Sequence, residues 1–153
     1  MTRTPTYRCA TSQDHPLLMI MIREFYMAEN LHFDANAASA AALELISDAS
    51  LGRIFLIGDG LQSVGYCVVT FGYSLEFHGR FALIDEFYVR EESRGSGLGS
   101  AALSFVEHEC GSMNVSAVRL EVDRSNARVR RLYERHDFEA HDRDLMSKLL
   151  TVK

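Results

Sequence analysis

Tryptophan is absent from this chain of 153 residues, and there are only 2 prolines and 3 cysteines. The cysteines (Cys9, Cys67 and Cys110) are odd in number and show no C-x-x-C spacing, which argues against a disulfide framework and against a zinc knuckle. With 10 glycines and 47% hydrophobic residues, the composition excludes a collagen-like fibre and a low-complexity tail. Long apolar runs are also missing. Leu17-Leu18-Met19-Ile20-Met21-Ile22 spans about 9 Å as a helix, against roughly 30 Å of bilayer hydrocarbon, so neither a membrane span nor a membrane partner is expected. The opening Met1-Thr2-Arg3-Thr4-Pro5 has no signal-peptide core, which makes the cytoplasm the expected compartment. Basic charge is in deficit: 16 Lys and Arg face 21 Asp and Glu, for a net charge of −5. That balance disfavours general nucleic-acid binding and mildly favours a cationic small molecule.

The length suits one domain over residues 1–153. Residues 7–10 read as a short strand. Gln13 to Glu29 reads as a helix, with Leu17, Met21, Phe25 and Ala28 on one face. Ala35 to Ala49 is rich in helix formers behind a capping Asp34. Strands are expected over 53–57, 64–73 and 81–89, joined as an antiparallel meander by short Gly-bearing turns. A helix over 98–110 then leads to a strand around Val118, Leu120 and Val122. Ser125 or Asn126 caps another helix, and a final strand runs from Phe138 through Leu150. The fold class is α+β: a mixed, mostly antiparallel sheet with one parallel strand-helix-strand crossover.

The most informative stretch is Arg94-Gly95-Ser96-Gly97-Leu98-Gly99-Ser100, between a strand and a helix. Glycines let a backbone approach a ligand closely, and the free N–H groups and dipole of a helix start attract anions. Arg94 adds a guanidinium fork suited to phosphate. A bound phosphate or pyrophosphate is the expectation. No G-x-x-x-x-G-K-[ST] loop occurs. A dinucleotide variant, Gly97-Leu98-Gly99-Ser100-Ala101-Ala102, does occur, with Glu121 or Asp123 about twenty positions on. Only one strand-helix-strand unit surrounds it, which makes a nucleotide-dependent oxidoreductase the weaker alternative.

The same residues resemble the GNAT family of N-acetyltransferases. Arg94 to Gly99 matches that family's [RQ]-x-x-G-x-[GA] acyl-CoA loop. Asp85-Glu86-Phe87-Tyr88-Val89 looks like the strand preceding it. Asn126 to Glu134, closed by Phe138, resembles the family's N-x-x-A-x-x-x-Y-E-x-x-G-F helix, with Val129 where Ala is usual and Asp137 where Gly is usual. The close match covers residues 81–138. The resemblance implies a sheet of about six to seven strands flanked by about four helices. It also implies acetyl-CoA as co-substrate, no metal, and an amine as acceptor; a small molecule of polyamine, aminoglycoside or amino-acid type is the expectation, with a protein N-terminus or lysine left open. Family members often form dimers, so a homodimer is compatible with it.

Residue roles follow from that resemblance. The amides of Ser96, Gly97, Leu98, Gly99 and Ser100, with Gly95 and Arg94, are expected to hold the pyrophosphate. The backbone around Phe87, Tyr88 and Val89 is expected to pair with the pantetheine arm, and Asn126 and Tyr133 complete the cofactor contacts. An alkyl ammonium of pKa about 10.4 must lose a proton before attack. Glu86 and Asp85 are the candidate bases, with Glu86 slightly favoured. A regular strand would present only one of them, unless a bulge intervenes. An amide near Phe87 is suited to an oxyanion, and Tyr133 to protonating the departing thiolate. Phe25, Tyr26, Glu29, Tyr73 and Glu76 are candidate acceptor contacts. A non-catalytic acyl-CoA sensor is the other alternative. No metal is expected, since His108 between Glu107 and Glu109 lacks ligand spacing.

Overall fold

The computed structural model describes residues 4–151, so the opening Met1 to Arg3 of the targeting reading lies outside the described residues. The chain divides into two compact units, residues 1–121 and 122–153, taken here in turn.

The first unit is a five-stranded sheet in the spatial order β1-β2-β3-β4-β5. Its strands are β1 (Thr6–Cys9), β2 (Gly52–Gly58), β3 (Ser63–Ser74), β4 (Gly79–Val89) and β5 (Ala117–Leu120). The first four pair antiparallel and β5 joins β4 in parallel. Two helices, α1 (His15–Ala28) and α2 (Ala35–Ser47), connect β1 to β2, and α3 (Leu98–Ser112) makes the crossover from β4 to β5. The expected order of elements therefore holds from β1 to β5. One difference lies at the start of α1, where Ser12–Asp14 forms a 3-10 turn rather than α-helix. There the Asp14 carboxylate accepts from the Thr11 amide at 2.8 Å and takes the Arg8 fork at 2.7 and 2.8 Å. Asp34 caps α2 by accepting from the Ala37 amide at 3.0 Å.

Both faces of β2 are covered, because consecutive strand residues point to opposite sides. Ile54 and Leu56 pack with Leu18, Met21, Ile22 and Ala42 of α1 and α2, together with Tyr66, Val68 and Tyr88. Ile57 packs instead with Val64, Val89 and with Leu98 and Ala102 of α3, and Phe55 meets Phe105 of α3 edge-to-face at 5.3 Å. So α1 and α2 cover one face and α3 the other. On α1 the buried stripe is Leu18, Met21 and Ile22, shifted by one residue from the expected line. Leu17 and Phe25 are only partly buried.

The second unit holds α4 (Ala127–Glu134), capped by Asn126, whose side-chain oxygen accepts from the Val129 amide at 3.2 Å. Asp137 takes a left-handed backbone with φ 62°, and the Phe138 amide bonds back to the Tyr133 carbonyl at 3.1 Å. That conformation is why glycine suits this position, and aspartate is among the side chains that adopt it.

The strand expected from Phe138 through Leu150 is not formed. Among the described residues nothing after Leu120 enters a ladder, and Leu145, Met146, Leu149 and Leu150 are 71–97% exposed. A strand exists only through pairing, and apolar composition alone does not supply a partner. The sheet accordingly has five strands among the described residues, not six to seven, while the count of four α-helices holds. No helix among the described residues is long and apolar enough to cross a membrane.

Candidate active site

Strand β4 carries one irregularity. Its ladder to β3 runs Val69↔Ile84 and then Val68↔Glu86, leaving Asp85 without an opposite residue. This is a β-bulge, which breaks the two-residue alternation. Glu86 consequently points to the α1 and α2 face with Val68 and Tyr66. Leu83, three positions earlier, shares that face through its partner Thr70. Asp85 is exposed and Glu86 half-buried. A bulge, the one irregularity that relaxes strict alternation between the two adjacent carboxylates, is thus present here.

Each oxygen of Glu86 accepts a phenolic hydrogen bond. Tyr26, near the C-terminal end of α1, donates to Oε2 at 3.0 Å, and Tyr66 of β3 donates to Oε1 at 2.7 Å. Burial pushes the Glu86 carboxyl above the ordinary carboxylate range. The two tyrosine hydrogen bonds oppose that shift, and the neighbouring Asp85 charge adds to it. The phenols respond in kind: burial and the Glu86 charge push Tyr26 up to about 12, and raise Tyr66 as well. Both tyrosines therefore stay protonated donors at neutral pH. A carboxylate has about four lone-pair sites, so two hydrogen bonds leave Glu86 capacity to take a proton. Tyr26 lies edge-on to Phe25 and to Phe33 at 5.8 Å in each case, which fixes its ring.

Next to this network, Glu24 of α1 accepts both arms of the Arg90 fork at 2.9 Å and the Tyr88 hydroxyl at 3.2 Å. The Arg90 amide bonds to the Val64 carbonyl at 2.9 Å. These contacts tie α1 and β3 to the point where β4 ends and the glycine loop begins.

That loop starts as a 3-10 turn, Glu91–Ser93, and then passes two left-handed glycines, Gly95 at φ 79° and Gly97 at φ 81°. A Cβ at either would meet nothing within 4 Å, so backbone conformation, not crowding, requires glycine there. Space lies open in front of the loop. The first intrahelical bond of α3 runs from the Ala101 amide to the Gly97 carbonyl at 3.0 Å. The amides of Leu98 and Gly99 lie ahead of it, at the positive end of the helix dipole. Leu98 is buried against Ile57, Val64 and Val89, which seats the helix start on the sheet. Arg94 Nε donates to the Val89 carbonyl at 2.7 Å, and its guanidinium lies 5.9 Å from the Tyr88 ring centre. Arg94 thus anchors the loop to the strand in addition to bringing charge to it. The residues present fit a diphosphate: glycine backbone, a helix start and an arginine.

Strand β4 also changes neighbours at the bulge. Phe81 to Ile84 pair with Ala117 to Leu120, whereas the ladder to β3 continues to Val89↔Gly65. From Asp85 to Val89 the β5-facing edge has no ladder partner among the described residues, which leaves a strip of main chain able to pair with an extended amide.

Of the remaining expected residues, Phe25 belongs to an aromatic cluster with Tyr26, Tyr66 and Tyr88, and Glu29 ends α1. Tyr73 is opposite Arg80 in the register, on the face away from Glu86, and is 78% exposed. Glu76 lies in the β3–β4 turn. In the second unit Tyr133 is buried and meets Phe138 edge-to-face at 5.7 Å. Sequence reading missed Tyr66, hidden in an apolar strand, and the Glu24–Arg90 pair, which joins residues 66 apart. Alternation with Val68 was the available signal for Tyr66. No group of three or more metal-ligating side chains occurs among the described residues.

Comparison with known proteins bears on this geometry. A comparison with curated proteins gave no match. An integron cassette protein from the mobile metagenome of Cole Harbour Salt Marsh is 36% identical, with a TM-score of 0.85 over 96% of this chain and 91% of that one. A predicted acetyltransferase from Clostridium acetobutylicum, solved with acetyl-CoA, shares the fold. It has a TM-score of 0.79 and 18% identity over 95% of this chain and 96% of its own. An aminoglycoside acetyltransferase from an uncultured soil metagenomic sample, solved in complex with sisomicin, also shares it. There the TM-score is 0.74 and the identity 14%, over 97% of each chain. The family model described as the acetyltransferase (GNAT) family matches residues 19–138, a span that includes the bulged strand, the glycine loop and α4. The chain belongs to the GNAT family of acetyltransferases.

Proposed function

We propose that this protein transfers an acetyl group from acetyl-CoA to a primary amine of a small molecule, with residues 1–153 acting as one acyl-CoA N-acyltransferase domain in the cytoplasm. The observation that carries the proposal is the loop from Arg94 to Gly99. It presents two left-handed glycines and the start of α3 directly after a strand edge with no ladder partner among the described residues. Acetyl-CoA, when bound, supplies an activated thioester. The chain's part is to hold it and to manage protons. Arg94, Gly95 and Ser96, with the amides of Gly97, Leu98, Gly99 and Ser100, hold the diphosphate. The main chain of Phe87, Tyr88 and Val89 aligns the pantetheine arm, with Asn126 as a further contact.

An alkyl ammonium of pKa about 10.4 is almost wholly protonated at neutral pH, with about one molecule in a few thousand free. Glu86 takes that proton. Its raised pKa narrows the gap to the ammonium, and its two tyrosine donors hold it in one orientation. Asp85, exposed on the bulge, contributes negative charge beside it. Tyr133 carries a proton on its hydroxyl for the departing sulfur. The amine attacks directly, and no side chain of the enzyme becomes acetylated.

The test is release of free thiol from acetyl-CoA across a panel of primary amines, paired with thermal unfolding in the presence of CoA or NAD. The proposal expects amine-dependent thiol release and stabilisation by CoA. Stabilisation by NAD alone, or by CoA with no turnover on any amine, would overturn it.

A further inference from the structure

The sheet face that carries Glu86 extends from β3 and β4 onto β5. Thr70 pairs with Leu83, and Leu83 with Arg119 of β5, so all three share the face of Glu86. One step further along, Phe81 lies opposite Gly72, and a Cβ there would come within 2.5 Å of the Phe81 ring. The missing side chain thus lets the ring lie across β3. Phe77, from the β3–β4 turn, meets Phe81 edge-to-face at 6.0 Å. The Arg119 guanidinium sits over both rings, 5.4 Å from the centre of Phe77 and 5.9 Å from that of Phe81.

Arg119, like Arg80 over Phe71, faces aromatic rings and no carboxylate within 4.0 Å among the described residues, and of these two it alone shares the face of Glu86. Arg8, Arg90, Arg124 and Arg130 each face a carboxylate within 4.0 Å. Arg119 is exposed, and among the described residues the side-chain partners of its guanidinium are the two rings. A guanidinium held by the ring faces makes no hydrogen bond to them, so its N–H fork, the part that binds carboxylates at two points, remains for another partner. With no carboxylate of the described residues across it, that fork is able to take an anionic group of a ligand bound on the same face as Glu86. From Leu83, the partner of Arg119, to Glu86 is three residues on β4 with the bulge between them and two residues on β3 (Thr70 to Val68); two residues along and one strand across separate Cα atoms by about 8 Å.

From this juxtaposition we propose that Arg119 selects the acceptor. The acceptor's amine meets Glu86, and a carboxylate several bonds away along the same molecule meets the Arg119 fork. The acceptor class is then an amino carboxylate with its two charges well separated, rather than a polyamine or an aminoglycoside, whose far ends are cationic. This inference rests on the acetyl-transfer reading of the same site.

A matched pair of acceptors tests it: 6-aminohexanoate and 1,6-diaminohexane, of equal chain length and opposite far-end charge. Each is assayed for thiol release with the wild type, Arg119→Glu, Arg119→Gln and Arg80→Ala. Arg80 stacks on Phe71 on the opposite face of the sheet and serves as the control for loss of a surface arginine. The expected result is a preference of wild type and Arg80→Ala for 6-aminohexanoate of about tenfold or more in kcat/KM, in the range of one charge-assisted hydrogen bond. Arg119→Gln abolishes that preference and Arg119→Glu inverts it. Arg119→Gln keeps the test open should the charge reversal unfold the chain. Preference for the diamine in the wild type, or a preference indifferent to Arg119, overturns the inference while leaving acetyl transfer standing. Absence of thiol release with these and every other amine tried overturns both.

Discussion

The two halves of the site are built by different means. The glycine loop is specified in the main chain. Gly95 and Gly97 hold left-handed angles that side chains resist, and what the loop offers a ligand is amide N–H groups at a helix start. The Glu86 side is specified by side chains from distant parts of the sequence: Tyr26 from α1, Tyr66 from β3, and a single-residue bulge that turns the carboxylate toward them. A main-chain site binds whatever carries the right phosphates, and so suits a co-substrate shared by a whole family. A side-chain site is remade by a few substitutions, and so suits the acceptor, which differs from enzyme to enzyme. Damage to the first should therefore appear as weaker acetyl-CoA binding, and damage to the second as slower or re-aimed transfer.

The largest effect is expected from Glu86→Gln. Loss of a positioned general base costs about 10²- to 10⁴-fold in rate, and acetyl-CoA should protect the variant from heat as well as it protects the wild type. A rate within a few-fold of wild type would move the base to Asp85. Tyr133→Phe should lower kcat by about 10²-fold with acetyl-CoA affinity largely kept. A kcat that does not change at any pH would remove Tyr133 from the acid role. Gly97→Val acts on the other half. A β-branched residue at φ 81° carries about 1–3 kcal/mol of strain, and relief of that strain moves the amides off their ligand. Acetyl-CoA affinity should fall about tenfold or more while acceptor preference stays as it was. If preference shifts and affinity holds, the separation between main-chain and side-chain halves is wrong.

The same division explains what could be read from the sequence. Motifs report local backbone demands. Gly95 and Gly97 mark the loop, the Ser125-Asn126 pair offers the cap of α4 that Asn126 makes, and the unusual Asp137 stands where a left-handed residue is required. Strand and helix periodicity placed every element through α4 to within a few residues. What stayed hidden depends on residues far apart in the chain. Tyr66 reads as one more apolar strand residue until β3 and β4 are set in register. Arg119 reads as the polar member of an alternating strand until Gly72 and Phe81 show what lies beneath it. The strand expected after Phe138 failed for a related reason. Apolar composition describes the segment, whereas a ladder is a property of two segments.

The subtlest expected effect belongs to Tyr66→Phe, which leaves every proposed reacting group in place. Burial raises the Glu86 carboxyl, and the Tyr66 hydroxyl works against that by stabilising the ionised form. Removing the hydroxyl should therefore raise the Glu86 pKa further. The acidic limb of the kcat/KM profile should move to higher pH by about one unit, the scale of a hydrogen bond to a charged group. The plateau rate above that limb should change only a few-fold. Stability has its own sign. A carboxyl whose folded pKa is raised supports the fold below its unfolded value, and that support is lost as pH rises through the folded value. Losing Tyr66's hydrogen bond hurts the ionised form more than the protonated one, so the drop in unfolding temperature should be larger at neutral pH than at pH 4. A drop equal at both pH values, with an unmoved acidic limb, would mean that Tyr66 merely packs. Tyr26→Phe should show the same two signatures, because its hydroxyl meets the other oxygen of the same carboxylate.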